Sequence, residues 1–134
     1  MKIVITGGTG FLGRHLVWHF SQNHQVVFTG RNTEAAQEVL AHCNSHAMKA
    51  NAKFCALNHG DRSAQQTLDA ICKGADVVIH NAALSSPWGR REAFITANIT
   101  STQEVIRAAE QNGVKRLIFI SSPSLYFNLS LIHI

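Results

Sequence analysis

Apolar positions along this chain fall into two alternating patterns. Lys2 to Thr6 is a short β-branched apolar run ending on a glycine cluster, which predicts a buried strand feeding a tight loop. From Phe11 the period lengthens. Leu12, Leu16 and Phe20 recur every fourth residue with Val17 beside them, predicting an amphipathic helix to about Asn23. Gln25 to Thr29 reads as a second strand, stopped by Gly30. Thr33 is placed to cap a helix through Cys43, with Ala36, Val39, Leu40 and Cys43 on its apolar side. Lys53 to Leu57 predicts a third strand, followed by the polar turn from Asn58 to Asp61. Ser63 opens a helix that carries Leu68, Ile71 and Cys72 and closes at Gly74. Asp76 to His80 is the most strand-like stretch, with Val77, Val78 and Ile79 at its centre. Arg91 to Gln111 predicts the longest helix, with Ile95, Ile99, Thr102, Ile106 and Ala109 along one face and Gly113 as its stop. Lys115 to Ser121 gives a fifth strand.

Strands thus alternate with helices, and the strands are apolar throughout rather than at every second residue. Such strands need a parallel sheet covered on both faces. Right-handed crossovers make a doubly wound parallel α/β domain the natural solution. Residues 1–128 are assigned to it, incomplete at the C-terminus, because strand five leaves an open edge and uncovered apolar surface. Residues 129–134, Leu129 to Ile134, are read as a non-native tail, with a genuine short apolar strand as the alternative. They stop in mid-element without a cap or turn, and one codon string that encodes them resembles the end of a transposase adapter.

A length of 134 residues allows one domain, and 46% hydrophobic with 15% charged residues is a globular composition. The net charge of +4 comes without any basic run longer than Arg90 and Arg91, so nothing argues for nucleic acid or an anionic membrane as partner. No apolar run approaches the roughly 20 residues of a membrane span. Glycines interrupt the N-terminal apolar run too early for a signal peptide. Cys43, Cys55 and Cys72 form no metal or redox spacing and read as free, mostly buried thiols of a reducing compartment. The expectation is a soluble, cytoplasmic protein. The eight histidines show no ligand spacing, so no metal site is assigned.

The chemistry concentrates in Gly7, Gly10 and Gly13, which lie between the first strand and the first helix, where a dinucleotide site requires them. Gly7 and Gly10 let the backbone turn and a pyrophosphate approach, and Gly13 lets helix and strand pack closely. Free N–H groups at Phe11 and Leu12 then face the phosphates at the positive end of the helix. At the end of strand two, an acid would bind the adenosine ribose hydroxyls and repel a 2′-phosphate. Here Gly30 is followed by Arg31 and Asn32, with no carboxylate until Glu34. The forked cation of Arg31 favours NADP over NAD as cofactor, although Glu34 could swing in.

With these motifs in this order, residues 1 to about 127 resemble the N-terminal part of an extended short-chain dehydrogenase/reductase, in the NAD-dependent epimerase/dehydratase and 3β-hydroxysteroid dehydrogenase-like group. The resemblance implies a Rossmann-type dinucleotide-binding fold. It places Asp61 and Arg62 where the family holds the adenine amino group. It places Ala82 and Ala83, after His80 and Asn81, beneath the cofactor, and Asn98, with Thr102 four residues on, in the helix motif that supports the active-site backbone and cofactor. Ser122, four residues before Tyr126, matches the family's catalytic hydroxyl, with Ser121 and Ser124 as competitors. A catalytic tyrosine in this family needs a lysine four residues later to lower the phenol pKa. Position 130 is Ser, so the resemblance puts the Tyr-x-x-x-Lys pair beyond this sequence.

Trp88, in the loop after strand four, could stack on an apolar or ring substrate or pack as a surface tryptophan. The implied function of the full-length parent is hydride transfer on an alcohol or carbonyl substrate, tilted by Trp88 toward sterol-like molecules. A sugar-nucleotide epimerase or dehydratase and a non-catalytic NADP-sensing module remain as alternatives. The partner implied is a small-molecule substrate, with a homodimer as the expected form of the full-length parent.

Overall fold

The computed structural model describes residues 1–46 and 51–122. Tyr126, Ser124 and the segment 129–134 lie outside them. The elements in chain order are β1 (Lys2–Thr6), α1 (Phe11–Ser21), β2 (Gln25–Gly30), α2 (Thr33–His46), β3 (Ala52–Ala56), α3 (Ala64–Cys72), β4 (Val77–His80), α4 (Arg91–Phe94), a π-helical turn (Ile95–Thr100), α5 (Ser101–Gln111) and β5 (Arg116–Phe119). The five strands form one parallel sheet in the order β3-β2-β1-β4-β5. The order reverses at β1, so its two neighbours leave a crevice at its carboxyl end, the place where such folds bind ligands.

Strand register explains why both faces are apolar. Val4 pairs with Val27 on one side and Val78 on the other, and this row packs with Leu68 and Cys72 of α3 and Val105 and Ala108 of α5. Ile3, Ile5, Val26, Phe28 and Ile79 point the other way, onto Val17 of α1 and Ala36, Val39 and Cys43 of α2. A helix layer on each face makes the domain doubly wound. All three cysteines are free, with Cys43 and Cys72 buried and Cys55 half-buried. Burial pushes the Cys72 thiol up to about 11, so it stays protonated and behaves as a small apolar group.

Two helix faces differ from the expected ones. In α1 Val17 is buried as expected and Leu16 and Phe20 pack half-buried against the same cluster, but the other buried positions are Gly13 and Ser21, and Leu12 is 44% exposed. In α5 Ala109 is buried as expected, together with Ser101, Val105 and Ala108, while Ile95, Ile99 and Ile106 face outward. Both helices approach their neighbours over small residues, which allows closer packing than a stripe of large ones. Ser101 can be buried because its hydroxyl donates to the Ala97 carbonyl one turn back, at 2.5 Å. The long helix expected from Arg91 to Gln111 is helical throughout, but the π turn interrupts it. Asn32, not Thr33, caps α2: its Oδ1 accepts the Ala35 N–H at 3.0 Å.

Strand β5 is at the edge and exposed along its whole length, with Phe119 54% exposed. The open edge and exposed apolar surface expected for strand five are present among the described residues.

Candidate functional site

The loop after β1 is built by close backbone approaches. Gly7 has φ +68°, and a Cβ there would lie 2.8 Å from Ala82 Cα and 2.9 Å from Ala82 N. A Cβ on Gly13 would be driven into the Gly7 carbonyl oxygen, with Asn81 Nδ2 also only 2.9 Å away. Gly10 differs: its nearest neighbour would be the Gly7 oxygen at 3.3 Å, and the remaining space is open. Gly10 is the N-cap of α1, and the first backbone bond of that helix runs from Arg14 N–H to the Gly10 carbonyl at 3.0 Å. The N–H groups at Phe11 and Leu12 therefore belong to the unpaired first turn, at the positive end of the helix dipole.

These residues open onto a cleft of about 1210 Å³ at the carboxyl edge of the sheet. Gly7, Gly10, Phe11 and Leu12 line one side. Arg31 and Asp61 line the ends of β2 and of the loop after β3, and Ala82, Ala83, Asn98 and Ser122 line the far side. Two residues named from the sequence are not in the lining. Gly13 is buried beneath the loop, and Arg62 is exposed on the surface beyond Asp61. Arg31 also borders a second recess of about 700 Å³ with Thr9, Asn32, Thr33 and Glu34. Asp61 Oδ1 accepts from Asn58 Nδ2 at 3.0 Å, which fixes the turn after β3. Trp88 is 84% exposed beside the site and does not line the cleft.

Asn98 sits in the π turn and grips the chain after β4 at two atoms. Its Oδ1 accepts the Leu84 N–H at 2.7 Å, and its Nδ2 donates to the Leu84 carbonyl at 3.1 Å. π turns recur at functional sites because they re-aim one side chain out of the helical repeat.

Sequence reading missed a polar cluster behind this floor. His80 is 1% exposed, with Nδ1 2.7 Å from Thr6 Oγ1 and Nε2 3.0 Å from Thr102 Oγ1. Burial, with a smaller contribution from nearby His59, pushes the His80 imidazole down to about 4, so it is neutral near pH 7. His59, also in the cleft wall, sets its Nδ1 2.8 Å from Glu104 Oε2, and Gly60 N–H donates to Glu104 Oε1 at 3.1 Å. That carboxylate straps the loop after β3 to α5. The signal available in the sequence was a histidine closing an otherwise apolar central strand. Among the described residues no group of His, Cys, Asp or Glu is gathered as a metal site.

The family model for the NAD dependent epimerase/dehydratase family matches residues 3–130. The chain belongs to that family. It is 33% identical over 125 residues to a 2-alkyl-3-oxoalkanoate reductase of Stenotrophomonas maltophilia, covering 93% of this chain and 34% of that protein. It is 32% identical over 132 residues to 3beta-hydroxysteroid-dehydrogenase/decarboxylase isoform 2 of Arabidopsis thaliana, covering 93% of this chain and 22% of that one. Among solved structures, a UDP-N-acetylglucosamine 4-epimerase from Methanobrevibacter ruminantium superposes with a TM-score of 0.75 at 26% identity, covering 93% of this chain and 39% of the epimerase. The chain thus spans about a third or less of the curated relatives it is compared with. The family's nicotinamide cofactor fits the residues present. The face of Gly10 is open where a pyrophosphate needs backbone contact, and the N–H groups at Phe11 and Leu12 are available to it. No helix among the described residues is long and apolar enough to cross a membrane.

Proposed function

We propose that this chain is the cofactor-binding part of an NADP-dependent reductase or dehydrogenase acting on the carbonyl or alcohol of an apolar, sterol-like or long-chain substrate. The observation that carries the reading is the open cradle at Gly10 and the N-terminus of α1, set at the point where the strand order reverses. The bound cofactor would supply the hydride chemistry. Gly7, Gly10, Phe11 and Leu12 would hold its pyrophosphate, Asp61 its adenine, and Ala82 and Ala83 its underside, while Asn98 would fix the segment that carries them. Ser122, on the far wall, would hydrogen-bond the substrate oxygen and hold it in line for proton transfer. A reductase and a hydroxysteroid dehydrogenase among the relatives support an apolar substrate. Likeness to a 4-epimerase supports a sugar-nucleotide epimerase as the second reading.

Arg31 supports NADP, since this residue borders both the cleft and the smaller recess at the end of β2. A charge-assisted contact to phosphate is worth about 1.5–3 kcal/mol, so Arg31→Ala is expected to weaken NADPH binding roughly tenfold or more and leave NADH unchanged. Fluorescence titration of the chain with each cofactor checks this. Equal affinity for the two in the unaltered chain overturns the NADP assignment, and binding of neither overturns the cofactor reading itself. The chain holds one tyrosine, Tyr126, with Ser130 four residues on. It is therefore expected to bind NADPH without oxidising it in the presence of ketones or aldehydes; steady loss of absorbance under those conditions refutes the role given to a lysine-paired tyrosine.

A further inference from the structure

The proton count around His80 fixes a direction. The Thr6 hydroxyl oxygen accepts the Asn81 N–H at 3.2 Å and the Ala82 N–H at 3.1 Å, which uses both of its lone pairs. The one thing it has left to offer His80 Nδ1 is its own hydrogen, so Nδ1 accepts. A neutral ring then carries its proton on Nε2 and donates it to Thr102 Oγ1. Thr102 in turn donates to the Asn98 carbonyl at 2.8 Å, and the Asn98 amide grips both polar atoms of the Leu84 backbone. Every donor along the chain points the same way: Thr6 to His80, His80 to Thr102, Thr102 to Asn98.

We infer that His80 is a positioning residue, held as the Nε2–H tautomer, that ties the end of β1 to the π turn and thereby sets the place of the 81–84 backbone under the cofactor. The residue type follows from the geometry. A single flat ring presents an acceptor on one edge and a donor on the other, and so joins two hydroxyls on separate elements. Phe119 covers one side of the ring, with centroids 5.6 Å apart, and His59, paired with Glu104, lies 6.2 Å away on another. An imidazolium would put a second proton against Thr6 and force its hydroxyl to release Asn81 or Ala82. Burial, which holds the ring neutral, keeps that from happening near pH 7. The link to cofactor placement rests on the reading proposed above; the hydrogen-bond direction does not.

Two measurements on the unliganded chain test the inference first. The imidazole ¹⁵N spectrum is expected to show Nε2 protonated and Nδ1 bare at neutral pH; the opposite tautomer, or an averaged pair, overturns it. In Thr102→Val, amide exchange at Asn81, Ala82 and Leu84 is expected to quicken roughly tenfold while β2 stays protected. Thr102→Ser is expected to restore it, because the hydroxyl is what matters. Exchange that quickens equally across the sheet, or not at all, gives Thr102 a purely structural role and overturns the positioning argument. With cofactor added, Thr102→Val is expected to bind NADPH about tenfold more weakly and Thr102→Ser as the unaltered chain does. Unchanged affinity in Thr102→Val overturns the positioning role. If the unaltered chain fails to bind NADPH, the functional reading falls while the tautomer and exchange results stand or fall separately.

Discussion

Gly7→Ala is expected to cost this chain a large part of its stability, whereas Gly10→Ala is expected to leave it folded and unable to hold the cofactor. The two glycines are three residues apart in one motif, and the structure gives them different work. Gly7 has φ +68°, a conformation that costs an alanine about 1–2 kcal/mol. Its added methyl would also overlap the backbone of Ala82, at 2.8 Å from Cα, and backbone cannot turn aside as a flexible side chain can. Overpacking of that kind costs about 1–3 kcal/mol. Together these amount to roughly 2–5 kcal/mol, a large part of the 5–15 kcal/mol that holds an ordinary domain folded. Gly10 has φ −74°, which any residue adopts, and its methyl would meet only the Gly7 oxygen, at 3.3 Å. Loss of a glycine N-cap to alanine costs under about 1 kcal/mol. The methyl would instead stand in the cleft where backbone and pyrophosphate must touch. Urea unfolding and NADPH titration of both variants separate the cases. A Gly10→Ala chain that binds NADPH normally removes the cradle argument; a Gly7→Ala chain that unfolds at the usual urea concentration shows that the contact with Ala82 can relax.

The order of elements was legible because strands buried on both faces leave no polar alternation, and Val77 to Ile79 can sit only in the middle of a parallel sheet. Strand ends pointed to one cleft for the same reason, since Arg31, Asp61, Ala82 and Ser122 all follow strands whose carboxyl ends converge there. Helix faces were less legible. Reading by size favoured Leu12, Leu16 and Phe20 beside Val17, and Ile95, Ile99 and Ile106 beside Thr102 and Ala109. The fold buries Val17 and Ala109 and half-buries Leu16 and Phe20, but adds Gly13, Ser21, Ser101, Val105 and Ala108 and leaves Leu12 and the three isoleucines exposed. Where the backbone must come close, small residues such as Gly13, Ser21 and Ser101 join the buried face, and a reading weighted toward large side chains passes over them. The π turn left no pattern in the sequence either, because it shifts one repeat by one residue. His80 looked like part of a motif, and its partners Thr6 and Thr102 are 74 and 22 residues away, a closure that only the sheet register creates.

Acid is expected to destabilise the chain well before its carboxylates titrate, and His80 is the reason. An unfolded histidine takes up a proton near pH 6.5, while burial and then the neighbouring His59 hold the folded His80 down to about 4. Between those values the unfolded state binds the extra proton, so falling pH favours unfolding. The contribution of His80 is complete above about pH 6.5, declines by at most about 1.4 kcal/mol per pH unit, and is gone below about pH 4, up to roughly 3 kcal/mol in all. Asp76 acts in a separate window. The backbone N–H of Lys2 at 2.9 Å and the Lys115 ammonium at 3.2 Å hold its carboxyl below the usual 3.8, so its contribution is present above that value and is lost only as pH falls further. Urea midpoints measured from about pH 7 to about pH 4 should therefore fall steadily in the unaltered chain. His80→Phe keeps a ring against Phe119 but leaves the Thr6 and Thr102 hydroxyls unanswered, so it should start lower at neutral pH and change little over the same interval. Parallel pH profiles for the two chains would place the acid sensitivity elsewhere. A flat profile for His80→Phe beside a sloping one for the unaltered chain assigns it to this one imidazole, whose neutrality the floor of the cleft depends on.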